Sequence, residues 1–198
     1  SETAEAMKGV LYHIIVAPGY DVGALEVLKK RKQLRILEAE PAAGPLSDLE
    51  VRQVSGGALI QTTDTICEDP STWKVVTTRK PTGAELEGLA FAWKAGKHVK
   101  SNTIVLAKGN TIVGIGAGQP NRVTSLHLAL RIAGDNASGS VLASDAFIPF
   151  ADTTELAAQG SIKAIIQPGG SVRDEEVIEA ANRHNMAMVF TNVRHFKH

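Results

Sequence analysis

The chain has 198 residues, of which 43% are hydrophobic and 21% are charged, so it can bury a core in one domain or in two small lobes. Its 21 basic side chains balance its 21 acidic ones, and no basic run is interleaved with aromatic residues, so neither a nucleic-acid nor a membrane partner is predicted. No apolar run approaches the roughly 20 residues of a membrane span. The single cysteine, Cys67, excludes an intrachain disulfide, is predicted to be buried and fits a cytoplasmic protein.

The first 80 residues predict short helices and strands in alternation. Residues 1–9 are typical of the end of a helix, and Asp21 is predicted to cap a second helix that finishes with the basic residues 29–32. Gly56 and Gly57 lie between two apolar runs and predict a hairpin, and a loop is predicted at residues 41–45. Apolar, partly β-branched runs predict strands at residues 11–16, 34–37, 51–54, 58–61 and 75–77.

From residue 81 onward the pattern is more regular. Thr82 and Glu85 predict a capping box for a helix that extends to about residue 97. Its predicted buried face consists of Leu86, Leu89, Ala90 and Trp93. A hairpin at residues 103–115 is followed by a helix from about Asn121, with inward positions Val123, Leu126, Leu130 and Ala133. Further strands are predicted at residues 141–143 and 164–166 and in a run ending at Phe190, with a helix near residues 154–159. Strands alternate with helices, so the sequence predicts an α/β fold with a mixed sheet covered by helices.

The chain is organised around the run at residues 164–177, a strand-glycine-helix junction of a kind that in most proteins only connects two elements. A buried strand is predicted to end at Pro168, and Ser171 with Asp174 is typical of the cap of a helix that runs toward Asn185. A strand that meets a helix start across glycines exposes backbone N–H groups at the positive end of the helix. The segment therefore indicates a place for an anionic or hydrogen-bond-accepting ligand.

Metal chemistry is not predicted. A zinc deaminase site needs a cysteine pair, and the sequence has one cysteine. His195 and His198 have a spacing that could hold a metal if helical, but they lie at the end of the chain after a strand.

Several separate motifs resemble one protein family in their order and spacing. They are SDAFIPF at residues 144–150, TNVRHFKH at residues 191–198, KSN at residues 100–102, GIGAGQ at residues 114–119 with Arg122, Gly56 with Gly57, and IVAPGY at residues 15–20. Together they resemble the C-terminal part of the AICAR transformylase domain of the bifunctional AICAR transformylase/IMP cyclohydrolase family, and the resemblance covers nearly the whole chain. The resemblance implies that residues 81–198 form a cytidine-deaminase-like three-layer lobe and that residues 1–80 are the tail of a preceding similar lobe with linking strands.

The activity that this resemblance implies is formyl transfer from 10-formyltetrahydrofolate to the amine of AICAR in purine (IMP) biosynthesis, by a cytoplasmic homodimer with composite sites. Asn102 matches a catalytic asparagine, whose amide suits holding the amine and the formyl group together. The positions that match substrate-binding residues are Asn102, Phe147 and Arg194. The positions that match folate-binding residues are Arg122, Val123, Phe147, Phe150, Asp152, Ser171, Val172 and Arg194. The family also allows a monovalent cation such as potassium near Ser101, Thr103 and Asp145.

Without the resemblance, these positions have ordinary structural interpretations. Phe147 and Phe150 would be core residues, Asn102 a turn residue, and Arg194 part of a surface salt bridge. The alternative hypothesis for the whole chain is a non-catalytic module that binds folate or a nucleotide, or a lobe that only dimerises.

The sequence also departs from the family. Ile148 stands where a second aromatic residue is usual, and Ala151 where an arginine is common. Lys97 and His98 have different flanking residues from the family's catalytic Lys-His pair, so they are predicted only to end a helix. That pair and the IMP cyclohydrolase domain are expected to be missing, and the chain is therefore predicted to be a fragment that catalyses little alone.

Overall fold

The computed structural model describes residues 1–41 and 48–197, so most of the loop predicted at residues 41–45 lies outside the described residues. The chain divides into two compact units, Ser1–Thr65 and Ile66–His198. The sequence prediction puts the boundary at residue 80 instead. The difference arises because the short strand Lys74–Val75 pairs with Val189 and Phe190 and thereby joins the sheet of the second unit.

The described part of the first unit consists of short helices and two small sheets. Its elements are α1 (Glu2–Ala6), β1 (Ile14–Ala17), α2 (Val22–Leu28), β2 (Arg35–Glu38), β3 (Leu49–Val54) and β4 (Gly57–Thr62). β1 and β2 pair in parallel, and β3 and β4 form the predicted hairpin. Asp21 caps α2 by accepting the Ala24 N–H, as predicted. The helix ends at Leu28, so the basic residues 29–32 do not form its last turn, and Arg31 turns back to donate to the Met7 and Val10 carbonyls.

The second unit is built on one six-stranded sheet. Its strands are β5 (Lys74–Val75), β6 (Ile104–Lys108), β7 (Thr111–Gly116), β8 (Val141–Ser144), β9 (Ala164–Gln167) and β10 (Ala187–Phe190), in the spatial order β5-β10-β9-β8-β6-β7. Its α-helices are α3 (Gly83–Gly96), α4 (Arg122–Ala133), α5 (Ala151–Gln159) and α6 (Asp174–Arg183). β8, β9 and β10 are parallel and the other pairings are antiparallel, so the predicted mixed sheet is confirmed.

Both faces of the four central strands, β6, β8, β9 and β10, are buried. Residues that alternate along the strands point to opposite faces, so Leu106 and Leu142 pack with α4, whereas Val105 and Ala143 pack with α3. The first core also includes residues of α5 and α6, and the second is centred on Leu89 and Trp93 of α3. The unit therefore has three layers, with one helix on one face and three on the other.

Several local predictions for α3 and α4 can be compared with the structure. The capping box of Thr82 and Glu85 is confirmed, and Asn121 caps α4. Lys97 is the C-cap residue of α3, so the prediction that this helix ends near residue 97 is confirmed. Four of the predicted inward positions are only half-buried, because they lie at the borders of the apolar stripes of α3 and α4. They are Leu86, Ala90, Val123 and Leu130.

Cys67 is exposed, so the prediction of a buried thiol is wrong. It lies between the first unit and β5, in a segment that contributes no strand to the sheet. No helix in the described residues is long and apolar enough to cross a membrane.

Two glycines of β7 allow α4 to lie close against the sheet. A Cβ atom on Gly116 would stand 1.8 Å from the carbonyl oxygen of Ser125, and one on Gly114 would stand 2.2 Å from that of Ala129. Because backbone atoms cannot rotate away as side chains can, a methyl group here has to push the helix from the strand. The packing of α4 on β7 therefore requires glycine at both positions.

Replacing Gly116 by alanine is expected to lower the free energy of unfolding by about 1–3 kcal/mol, the usual cost of overpacking a core. Denaturant unfolding followed by circular dichroism measures the change. Gly83→Ala is the matched control, because a Cβ at Gly83 meets no atom within 4 Å and the residue begins α3. Equal stability of the Gly116→Ala and Gly83→Ala variants would contradict the close approach.

Candidate functional site

The residues predicted to contact ligands lie at one edge of the six-stranded sheet. The parallel strands β8, β9 and β10 end at this edge, with Gln167 paired to Phe190. Ile104, at the start of β6, pairs with Ser144 and with Gly116, so the start of β6 and the end of β7 reach the same edge. The predicted site residues all lie just before or after these strand ends. They are Asn102, Arg122, Val123, Phe147, Phe150, Asp152, Ser171, Val172 and Arg194.

Asn102 is half-buried immediately before β6, and its side chain is held in one orientation. Its Nδ2 donates to the carbonyl oxygen of Gln119 over 2.9 Å, and its own carbonyl oxygen accepts from Ser125 Oγ over 2.8 Å. The peptide bond between Ser101 and Asn102 is cis. Within residues 1–41 and 48–197, no group donates to Oδ1 of Asn102. The amide therefore offers an acceptor oxygen at a fixed position.

Arg122, in the first turn of α4, forms a buried ion pair with Asp145. Its Nη2 donates to Oδ1 of Asp145 over 3.1 Å, and its Nε donates to Ser144 Oγ over 3.0 Å. Only 10% of the Arg122 side chain and none of the Asp145 side chain is exposed. Desolvation lowers the pKa of the Arg122 guanidinium, and the attraction of Asp145 offsets part of that shift. Val123 lies half-buried beside this pair on the same turn.

The residues expected near a monovalent cation are already engaged with one another. Ser101 Oγ donates to Oδ2 of Asp145, while Arg122 occupies Oδ1. Thr103 Oγ1 donates to the carbonyl oxygens of Lys100 and Gly116. Because a guanidinium already neutralises the carboxylate, this arrangement does not fit a second cation, and the potassium prediction gains no support from it.

The side chains of Phe147 and Phe150 are exposed, so the alternative interpretation of these two residues as core residues is wrong. Phe147 is 36% exposed and Phe150 is 48% exposed, while Ile148 between them is fully buried. Ile148 donates its N–H to Oε1 of Gln167, which fixes the segment. The guanidinium of Arg173 lies over the Phe150 ring, 4.9 Å from its centre. The edge therefore presents flat aromatic surfaces.

The strand-to-helix junction after β9 differs from the sequence prediction. Helix α6 begins at Asp174 with Arg173 as its N-cap residue, and the Ser171 hydroxyl accepts the Arg173 N–H over 3.2 Å instead of capping the first turn. The glycines at 169 and 170 have φ values of +74° and +93°, and this turn brings Asp174 back to accept the N–H groups of Gly170 and Ser171 over 2.7 and 3.2 Å. Those two N–H groups are thus satisfied internally and are not offered to an anion. Val172 is fully exposed beside them.

Two charged residues at this edge are exposed. Asp152 lies in the first turn of α5, and its Oδ1 accepts the Thr153 N–H over 2.6 Å. The Arg194 guanidinium lies 5.7 Å from the centre of the Phe196 ring. Among the described residues Arg194 forms no ion pair, so the alternative of a surface salt bridge is wrong for this part of the chain.

Hydrogen bonds join only some of the predicted residues. Arg122, Asp145 and Ser101 form one network, and Asn102 is tied to Gln119 next to it. In the part of the chain that the structure describes, neither Asp152 nor Arg194 is hydrogen-bonded to that network. These two residues share the sheet edge with it and leave their charges available to ligands.

The sequence prediction missed two features of this region. The first is the stacking of Arg173 on Phe150. It could have been predicted, because Arg173 is a basic residue within the run at residues 164–177 that already indicated a ligand site. Glu68 pairs with His195, for which there was no signal because the two residues are far apart in sequence. No group of three or more His, Cys, Asp or Glu residues within residues 1–41 and 48–197 could hold a metal ion, and His198 lies outside the described residues.

The fold and the sheet edge define an α/β protein whose candidate ligand site lies at the carboxyl ends of parallel strands, the usual place for such sites. Residues 1–132 match the family model described as AICARFT/IMPCHase bienzyme. The chain belongs to this family.

Relatives with the name bifunctional purine biosynthesis protein PurH match the chain over its whole length. The protein from Dictyostelium discoideum is 51% identical over 204 residues, which cover 100% of this chain and 38% of that protein. The protein from Streptococcus agalactiae serotype III (strain NEM316) is 52% identical over 199 residues, which cover 99% of this chain and 39% of that protein. The chain therefore spans about 39% of the length of such a curated relative.

A solved structure, RibD from Acinetobacter baumannii, is similar at 17% identity with a TM-score of 0.35. The match covers 49% of this chain and 31% of the RibD chain, and this similarity is too weak to bear on the fold.

Proposed function

We propose that this chain forms part of an enzyme of purine biosynthesis that transfers the formyl group of 10-formyltetrahydrofolate to the amine of AICAR. The observation that carries the proposal is the match over the whole chain, at 51–52% identity, to bifunctional purine biosynthesis proteins. The geometry of the sheet edge supports it, because this edge carries an oriented amide, exposed aromatic rings and a guanidinium that forms no ion pair with the described residues.

Asn102 is the residue to which we assign a direct part in the reaction. The amine of AICAR is conjugated with its ring and is a poor nucleophile, so it has to be oriented toward the formyl carbon. Since Nδ2 of Asn102 is bound to Gln119, Oδ1 faces outward as an acceptor for an amine N–H. Asn102 therefore holds the amine in position, and a separate group accepts its proton.

The remaining positions divide between the two ligands. Phe147 and Phe150 offer their exposed faces to the imidazole and pterin rings. Asp152 can accept hydrogen bonds from the amino edge of the pterin, and Arg194 can bind a phosphate or a carboxylate in a bidentate manner. Because the Ser171 N–H is bound to Asp174, a folate contact of Ser171 would use its hydroxyl or carbonyl oxygen, beside Val172.

Arg122 has a supporting part in this proposal. Its guanidinium is committed to Asp145 and Ser144, so Arg122 and Val123 contribute to the folate site mainly through the position of the first turn of α4. We further propose that the second unit is a cytidine-deaminase-like lobe, for which the three layers and the mixed sheet are the support. Composite sites in a cytoplasmic homodimer remain predictions.

Two measurements test the proposal. Isothermal titration calorimetry of the 198-residue chain with AICAR and with tetrahydrofolate tests binding, and mass spectrometry of the complete protein incubated with AICAR and 10-formyltetrahydrofolate tests for formylated AICAR. Equal amounts of formylated AICAR and tetrahydrofolate are the expected products. Binding without product would favour the non-catalytic module, and the absence of both binding and product would overturn the proposal.

A further inference from the structure

The chain after β10 is held to the ligand-binding edge by its backbone. The N–H of His195 donates to the carbonyl oxygen of Asp145 over 3.0 Å, and the carbonyl oxygen of Lys197 accepts the Ser101 N–H over 2.8 Å. We call residues 191–197 the C-terminal segment. Its side chains alternate, because Arg194 and Phe196 are exposed while His195 is 1% exposed. The outward direction of Arg194 therefore depends on the inward direction of His195.

The buried His195 side chain meets a carboxylate. Its Nε2 lies 3.2 Å from Oε1 of Glu68, and the same oxygen accepts the Trp93 Nε1–H over 3.0 Å. The imidazole also packs against the Trp93 ring, with 5.0 Å between ring centres. Only 2% of the His195 side chain and 10% of the Glu68 side chain is exposed. Oε1 of Glu68 thus accepts the Trp93 N–H and has the His195 imidazole within ion-pair distance, in a site where an unpaired carboxylate would be costly.

We infer that Glu68 and His195 are positioning residues that hold the C-terminal segment so that Arg194 faces the ligand site. This inference rests on the proposed function, in which Arg194 binds an anionic group of a ligand. The pair connects the segment that precedes β5 with the segment that follows β10, the two strands that pair at that end of the sheet.

Packing alone does not require a histidine at position 195. A leucine fills about the same space as a histidine, but it cannot donate to Glu68 and would leave that buried carboxylate with Trp93 as its N–H donor. Glu68, Trp93 and His195 also line a cavity of about 210 Å³, so the site has room for side chains of slightly different shape. The contact between His195 Nε2 and Glu68 is thus the feature that selects one position of the segment.

The test compares three variants of the full chain. His195→Leu removes the donor, whereas His195→Gln keeps an N–H donor at a similar distance from the backbone. His184→Leu is the matched control, because His184 also pairs with a glutamate, Glu155, but near the end of α6 at the opposite edge of the sheet. Two quantities are measured for each variant. They are the hydrogen-exchange rates of the Ser101 and His195 amides and the dissociation constants of AICAR and tetrahydrofolate.

We expect His195→Leu to raise both exchange rates and to weaken the ligand that Arg194 contacts by about 10-fold or more, as for a lost charge-assisted hydrogen bond. His195→Gln should restore most of the affinity, and His184→Leu should leave it unchanged. In an Arg194→Ala background, His195→Leu should weaken binding by less than about twofold further, because residues that act through one contact are not additive.

Three outcomes would overturn the inference. Unchanged affinity in His195→Leu would show that the pair does not position Arg194. An equal loss with and without Arg194 would show a general structural effect. If the wild-type protein binds neither ligand, the proposed function fails and this inference fails with it. Ligand binding by the wild-type protein therefore separates the first two outcomes from the third.

Discussion

Replacing Asn102 by alanine is expected to lower the turnover of formyl transfer by roughly 10²–10³, the usual loss when one preorganised polar contact to the reacting groups is removed. The effect should be this large because Nδ2 of Asn102 is anchored on Gln119, so Oδ1 is already in place before the ligand arrives. Alanine leaves a cavity that water fills without orienting the amine. The turnover number of the complete enzyme, at saturating AICAR and 10-formyltetrahydrofolate, measures the loss.

Stability separates this effect from unfolding. The carbonyl oxygen of Gln119 still accepts the backbone N–H of residue 102 in the variant, over 3.2 Å, so the free energy of unfolding should fall by only about 1 kcal/mol. Asn182→Ala is the matched control, because Asn182 also bonds a backbone group, the Thr78 N–H, but lies near the end of α6 at the other edge of the sheet. A rate for Asn102→Ala equal to that of Asn182→Ala would remove Asn102 from the reaction.

The sequence predicts those parts of the fold that depend on neighbouring residues. The capping box of Thr82 and Glu85 is formed because both partners lie in one turn of chain. The same kind of pattern at Ser171 and Asp174 has a different outcome. There, two glycines with positive φ turn the backbone so that the aspartate reaches Gly170 and Ser171 from the helix start. A spacing pattern does not contain the φ angles that decide between these two structures.

The site is less predictable because its contacts cross between elements. The motifs locate Asn102 and Arg122, but pairing of Arg122 with Asp145 follows only from the register that sets Ile104 beside both Ser144 and Gly116. The exposure of Phe147 likewise depends on Ile148 entering the core beside it. The family resemblance predicts which residues contact the ligands, and the strand order explains how they meet at one edge.

Replacing Arg122 by methionine is expected to lower the free energy of unfolding by about 3–5 kcal/mol, the cost of leaving one member of a buried ion pair without its partner. The Asp145 side chain has no exposed surface, and without Arg122 it retains the Ser101 hydroxyl as a donor but loses the guanidinium. Denaturant unfolding measures the loss. Arg183→Met is the matched control, because Arg183 pairs with Glu155 at the surface with 58% of its side chain exposed, where an ion pair contributes about 0–1 kcal/mol.

The double variant Arg122→Met with Asp145→Asn tests the physical cause. Asparagine removes the buried charge and still accepts a hydrogen bond from Ser101, so the double variant should be more stable than Arg122→Met alone. A double variant that is less stable than either single variant would show that packing of the long Arg122 side chain, and not the uncompensated charge, dominates. Recovery of stability would instead show that Asp145 needs the guanidinium of Arg122 because its charge is buried. The start of α4 would then be held at the site edge by electrostatics.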